Sequence, residues 1–265
     1  MTTKPDVPLR MEMTFELPGT PEQLWDAIAT ARGISAWFTP TDVDEREGGA
    51  IVFHMGEDES SPGTVTGWEP PLRFACEEPE WAALAGHAGE SVTPLATEFL
   101  IEARSGGTCV LRVVSSAFGT GADWEQEFFE QMEKSWRPFF DRLRLYLAHF
   151  PGQRATPLDV SHTVKGRSGP VFAAMRQSLG LAEVGQSVDA RGLAGTVERI
   201  GAEDALLRVT DPVPGFLAVA AWDSSEDEAS AVVQAQLFSD DAPAVVERER
   251  PGWQAWLETL AIPVP

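Results

Sequence analysis

The segment FELPGTPEQLWDAIATARGISAWF (residues 15–38) changes its hydrophobic period partway along, and that change orders everything after it. Up to Leu17, the run RMEMTFEL sets Met11, Met13, Phe15 and Leu17 at alternate positions, the pattern of a strand with one buried face. Pro18-Gly19 turns the chain. Thr20 then has the side chain of an N-cap, Pro21 stands at the first helical position, and Gln23 completes a capping box. Leu24, Trp25, Ile28 and Ala31 follow at helical spacing, Gly33 is expected to break the helix, and ISAWF makes a second short turn that stops before Pro40. An apolar stretch of this length falls well short of the roughly 20 residues that span a bilayer. One or two turns ending in Trp37-Phe38 fit a plug at the mouth of a sheet.

Beyond the plug the period returns to two. Strand-like runs TDVDER, AIVFHM, GTVTGWE, LRFACEE, TEFLIEAR and TCVLRVVSSAF are divided by GG, PP and SGG turns. One segment, Pro79 to Leu95, has no clear periodicity and reads as a cover. Ile51, Phe53 and Met55 share a face, as do Phe99, Ile101 and Ala103, and Leu111, Val113 and Ser115. This half ends in a helix expected over Ala122 to His149, where Trp124, Phe128, Met132, Trp136, Phe140, Leu143 and Leu147 recur every three or four residues. Pro138 inside it predicts a kink or a local break. The order of elements is that of an α+β fold, a curved antiparallel sheet wrapped around a long C-terminal helix.

The residues FELPGTPEQLWDAIATARGISAWF, then GTVTGWEPPLRFACEE, then a Trp-containing terminal helix resemble the helix-grip, START-like superfamily (SRPBCC, Bet v 1-like). Within it they look closest to proteins related to the activator of the heat-shock chaperone ATPase. The resemblance spans about residues 10–150 and rests on the order of elements and on the G-x-V…P-P-x-R-F strand pair. It implies a cavity between sheet and long helix. By position, the plug would contribute Trp37 and Phe38, and the middle strands Phe53, Val65 and Phe74. Phe99, Ile101, Leu111 and Val113 would come from the last strand pair, and Trp124, Phe128 and Met132 from the helix, with Trp37 facing Trp124 or Phe128. The superfamily includes lipid carriers, metabolite binders, cyclases and co-chaperones, so the fold alone does not name a function.

The second half repeats the first in shortened form. GTVTGWEPPLRFACEE from Gly63 is echoed by GTVERIGAEDALLRVTD from Gly195, and TCVLRVVSSAF by EASAVVQAQLF. EKSWRPFFDRLRLYLA is echoed by ERERPGWQAWLETLA, which sets Pro138 on Pro251, Phe140 on Trp253 and Leu143 on Trp256. Upstream, Phe172 takes the place of Trp25. Trp25 to Gly63 is 38 residues, but Phe172 to Gly195 is 23, so the copy lacks the counterpart of ISAWF and much of the second and third strands. The expected organisation is a complete domain over residues 1–152 and a reduced one over 153–265, its last helix over 242–261.

Net charge is −21, with 25 acidic against 11 basic residues up to position 150 and 16 against 9 after it. Neither half offers the basic surface that nucleic acid or an anionic membrane requires. The N-terminus lacks the apolar core of a signal peptide, and a cytoplasmic location is expected. Cys76 and Cys109 sit in strand-like runs as buried thiols, and no two histidines have metal-ligand spacing, so no metal or cofactor is expected. His54 falls at the parity of a rim residue, and Glu98, Glu102, Arg73, Glu77 and Arg112 fall at outward parity. The acidic runs GEDESS and WDSSEDEAS read as matching hairpin loops of the two copies. Three readings follow: a non-catalytic binder of a small hydrophobic or aromatic ligand, a co-chaperone-like module for a protein partner, and a cavity-based cyclase or hydrolase. A carboxylate inside the cavity would be needed for acid–base chemistry, and no carboxylate is assigned there.

Overall fold

The structure, a computed structural model, describes residues 6–56, 59–90 and 92–260. Glu57 and Asp58 of the acidic run, Ser91 of the cover segment and Ala261 of the last expected helix lie outside the described residues. The chain divides into two compact units, residues 1–153 and 154–265.

The first unit runs β1 (Val7–Pro18), α1 (Pro21–Ala29), α2 (Ala31–Ser35), β2 (Thr41–Val43), β3 (Ala50–His54), β4 (Ser60–Glu69), β5 (Arg73–Glu78), α3 (Trp81–Leu84), β6 (Leu95–Ala103), β7 (Thr108–Gly119) and α4 (Asp123–His149). Its seven strands form one antiparallel sheet in the order β1-β7-β6-β5-β4-β3-β2. The capping box at Thr20 and Gln23 is present, with the Gln23 N–H donating to Thr20 Oγ1 at 3.3 Å and the Thr20 N–H to Gln23 Oε1 at 2.9 Å. Gly33 does not end α1. Thr30 separates the two helices and caps the second, accepting from the Gly33 N–H at 3.0 Å. Gly33 lies inside α2 because a Cβ there would sit 1.9 Å from the Asp26 carbonyl oxygen, so glycine permits α1 and α2 to touch.

Pro138 does not break α4, which is one helix of 27 residues packed along β1. Its start is held by a single carboxylate. Glu125, 1% exposed, accepts from the Thr120, Gly121 and Ala122 N–H groups and from the Thr120 hydroxyl at 2.8–3.2 Å. Register sorts the concave face of the sheet into rows. One row reads Trp68, Phe74, Phe99, Val113, Met13, and the next Val65, Cys76, Thr97, Ser115, Met11. The opposite face carries ion pairs, among them Arg73 to Glu98 at 2.6 Å and Arg112 to Glu12 at 2.5 Å. Arg112 and Arg10 lower the Glu12 pKa to about 2.

The second unit runs β8 (Thr156–Lys165), α5 (Ser168–Ser178), β9 (Ser187–Ala190), β10 (Leu193–Ile200), β11 (Asp204–Asp211), β12 (Gly215–Asp223), β13 (Glu228–Leu237) and α6 (Ala242–Glu258), with sheet order β8-β13-β12-β11-β10-β9. This is the order of the first sheet with its last strand removed. Among the described residues the lost parts are the counterparts of α2, β2 and α3, whereas the third strand survives as β9. The correspondence extends to single bonds. Val65 exchanges backbone hydrogen bonds with Gly48 and Gly49, at 2.8 Å each, and Val197 does so with Gly185 and Gln186 at 2.8 and 2.9 Å. Both strands slip register just after that valine. The chain is thus a tandem of one α+β architecture.

Two glycines repeat for one steric reason. A Cβ on Gly63 would lie 2.6 Å from the Glu77 carbonyl oxygen, and one on Gly195 would lie 2.1 Å from that of Arg208. Alanine at either position is expected to destabilise its own unit by about 1–3 kcal/mol, because overpacking against a fixed strand cannot relax. Gly195→Ala, with the closer approach, should be the worse in urea melts of the full chain. An unchanged midpoint for both would show that the strands yield at this point.

The two acidic runs do not match. GEDESS belongs to the β3–β4 connection, whose counterpart is the two-residue Arg191-Gly192 turn, both residues at positive φ. WDSSEDEAS spans the β12–β13 connection, the counterpart of the SGG turn. Along β8, α6 reaches over the strand: Arg250 donates to the Asp159 and Pro157 carbonyl oxygens at 2.6 and 3.3 Å, and Gln254 to that of Ser161 at 3.5 Å.

Candidate functional site

Aromatic side chains of the first unit gather in three groups. The first joins α1 to the concave face, with Trp25 edge-on to Trp68 at 5.0 Å and Phe74 stacked with Phe99 at 5.9 Å. The second surrounds the plug. Trp37 lies 5.8 Å from Phe140, Phe38 lies 4.9 Å from Phe139 and 6.0 Å from Phe53, and Phe140 stacks on Phe15 at 4.2 Å. The third is built on Trp81 in the cover segment, which meets Trp124 at 5.5 Å, Phe128 at 5.0 Å and Phe129 at 5.9 Å. His87 stacks on Trp124 at 4.1 Å, so the cover segment is pinned to the start of α4.

The expected meeting of Trp37 with Trp124 or Phe128 is therefore corrected. Phe140 follows Phe128 by twelve residues, about 18 Å along a helix axis. Trp37 is buried, and its Nε1 donates to the Ala27 carbonyl oxygen at 2.9 Å, which fixes the ring against α1 and the far half of α4. The other positions named from sequence fall into two sets. Val65, Phe74, Ile101, Leu111, Val113 and Met132 are buried. Phe38, Phe53, Phe99, Trp124 and Phe128 are only partly buried.

A carboxylate does lie on the concave side. Glu78 follows Phe74 and Cys76 at alternate positions on β5 and pairs with the buried Leu95 of β6. Its carboxyl is hydrogen-bonded to the hydroxyl of Ser61, which is 3% exposed. Burial pushes the Glu78 pKa above the ordinary carboxylate range, and the Ser61 bond only partly offsets this. Beside it, Thr97 Oγ1 and Ser115 Oγ lie 3.0 Å apart, both buried. Parity with Phe74 and Cys76 was the signal for Glu78. The run CEEPE conceals it by resembling a solvated turn.

His54 sits at the rim, 2.9 Å from Asp42 Oδ2. The Cys76 and Cys109 thiols are buried, and burial raises the pKa of each. Among the described residues, no group of three or more His, Cys, Asp or Glu side chains is placed to hold a metal ion, and no helix is long and apolar enough to cross a membrane.

The second unit exchanges bulk between its layers. By register, Ala205, Ala221 and Ala231 replace Phe74, Ile101 and Leu111 on the sheet, while Trp253 and Trp256 replace Phe140 and Leu143 on the helix. All five belong to one continuous buried cluster.

No curated protein matches the chain. Among solved structures, a Mesorhizobium loti protein is 17% identical over 54% of this chain and 98% of its own, with a TM-score of 0.47. The Aha1 dimer from Colwellia psychrerythraea is 17% identical over 54% of this chain and 99% of its own, with a TM-score of 0.43. The di-domain ARO/CYC BexL from the BE-7585A biosynthetic pathway is 12% identical over 97% of this chain and 100% of its own, with a TM-score of 0.46. Likeness at this level carries no argument about ligand or partner. The model of one family, the activator of Hsp90 ATPase homolog 1-like proteins, matches residues 18–148. Its span takes in the capping box, the whole sheet from β2 to β7 and nearly all of α4, so the first unit of this chain is a domain of that family.

Proposed function

We propose that the first unit is a non-catalytic binder of a small aromatic or hydrophobic molecule, held between the concave face of its sheet and α4. The observation that carries this reading is the contrast between the two units. In the second, both tryptophans of the helix lie within one continuous buried cluster over an alanine-rich sheet. In the first, the aromatic residues Phe38, Phe53, Phe99, Trp124, Phe128 and Trp136 stay only partly buried. Rings grouped on facing elements but not packed to closure are what an apolar ligand site requires. Phe53, Phe74 and Phe99 would form its floor, Trp124, Phe128 and Met132 its roof, and Trp37 with Phe38 its closed end. The second unit is read as a degenerate copy that retains the core and has lost the site.

Equilibrium dialysis of the full chain against naphthalene and related aromatic probes tests the reading. Binding at micromolar probe that weakens about tenfold in Phe128→Ala, with circular dichroism unchanged, is the expected result for a ring that contacts ligand. Trp37→Ala should instead lower stability by about 3–5 kcal/mol, as for a buried core aromatic, which a urea melt measures. Absence of binding to every probe would remove the reading in favour of a protein-interaction module, the alternative that the family match supports.

A further inference from the structure

Apart from Thr41 on the edge strand, the polar side chains of the concave face of the first sheet gather in one place. Thr97 and Ser115 stand side by side between Cys76 and Met11, and Glu78 projects two residues beyond Cys76, bonded to Ser61. The second unit shows that the fold does not need these groups. By register, Leu217 and Ala235 occupy the places of Thr97 and Ser115, and Val209 that of Glu78. Leu193, two residues before Gly195, stands where Ser61 stands before Gly63. All four polar side chains of the complete unit are thus apolar in the shortened one. Polar groups on a buried face weaken a core unless something pairs with them. Here they lie on the side of the sheet facing α4, and Trp81, three residues past Glu78, carries the aromatic cluster of Trp124 and Phe128.

We propose that Ser61 and Glu78, with the Thr97–Ser115 pair beside them, form a hydrogen-bonding subsite that orients a neutral oxygenated aromatic molecule, a phenol or an aryl ketone, in the first unit. The subsite rests on the aromatic-ligand reading above. The Ser61 bond engages Glu78 Oε2, and among the described residues no hydrogen bond reaches Oε1. The Glu78 carboxyl offers acceptor oxygens, and the hydroxyls of Ser61, Thr97 and Ser115 offer both donor and acceptor roles, which complements a phenolic hydroxyl or a carbonyl oxygen. A pure hydrocarbon would add no hydrogen bond at Glu78 Oε1 beyond the internal Ser61–Glu78 and Thr97–Ser115 bonds. An anion would meet a carboxyl in a chain of net charge −21. An ammonium would need the ionised carboxylate, the form that burial disfavours.

Four probes of similar shape separate these cases in equilibrium dialysis with the full chain: naphthalene, 2-naphthol, 2-naphthoate and 1-naphthylmethylamine. Wild type is expected to bind 2-naphthol about tenfold more tightly than naphthalene, the scale of a buried hydrogen bond. Glu78→Leu should erase that preference while naphthalene binds at least as well as before. Ser61→Ala should reduce it, and Glu78→Gln, which keeps a hydrogen-bonding group of the same shape, should retain it. If Glu78→Leu does not fold by circular dichroism, wild type, Ser61→Ala and Glu78→Gln still decide. Equal affinity of wild type for naphthol and naphthalene overturns the subsite and leaves the apolar site standing. A preference for the naphthoate or the amine overturns the neutral-ligand assignment. Failure of all four probes removes the ligand-binding reading itself, and the subsite with it.

Discussion

Replacing Trp256 with alanine is expected to destabilise the second unit by about 3–5 kcal/mol, the range for truncating a buried aromatic. The ring is 7% exposed, its Nε1 donates to Ser178 Oγ at 3.0 Å, and it meets Trp253 edge-on at 5.4 Å. The surroundings place the loss toward the top of that range. Ala205, Ala221, Ala229, Ala231 and Ala235 belong to the same buried cluster, and methyl groups cannot swing into the vacated volume. The cavity therefore persists, and the cavity adds to the lost transfer energy. A urea melt of the full chain, followed by circular dichroism and indole fluorescence, measures it. A loss below about 1 kcal/mol would place the ring outside the core.

The Glu125→Ala substitution should cost about 1–3 kcal/mol in the first unit, because it leaves several part-buried donors without their acceptor. Those donors are the N–H groups of Thr120, Gly121 and Ala122, all at the entrance to α4, where a negative charge also meets the positive end of the helix dipole. The pH dependence follows with a definite sign. Burial alone would raise the Glu125 pKa, but the hydrogen bonds from Thr120, Gly121 and Ala122 outweigh it and hold the value below the ordinary 4.5. A carboxylate with a depressed folded-state pKa stabilises fully above its unfolded value and loses that contribution as pH falls through the folded value. Urea midpoints should thus fall in wild type as the pH is lowered below 4.5, and the Glu125→Ala curve should be flatter there. Parallel curves would show that other carboxylates govern the acid limb.

Sequence carried the architecture a long way because its signals were local. The capping box at Thr20, the alternation of Met11, Met13, Phe15 and Leu17, and the paired Gly63 and Gly195 each report a backbone constraint that acts within a few residues or across one strand pair. The copy could be read as short of a helix and a strand for the same reason. What failed was the phase between distant elements. Nothing near Trp37 records that its ring meets Phe140 rather than Phe128, since that depends on where a 27-residue helix crosses the sheet. Gly33 misled because a glycine demanded by helix–helix contact looks like a helix terminator. Glu78 was legible by parity but lost in an acidic run, and the four-residue helix at Trp81 is too short to show a period.

The cross-links from α6 to β8 bear on how the protein behaves in a crowd. A strand at the border of a sheet exposes unpaired carbonyl oxygens, an invitation for a strand of another molecule to dock. Arg250 and Gln254 occupy those of Pro157, Asp159 and Ser161 from the chain's own helix. At the other border, β9 is only four residues long and offers little length to pair with. The shortened unit, stripped of its outermost strand, thus stays guarded on both flanks against growing into aggregates.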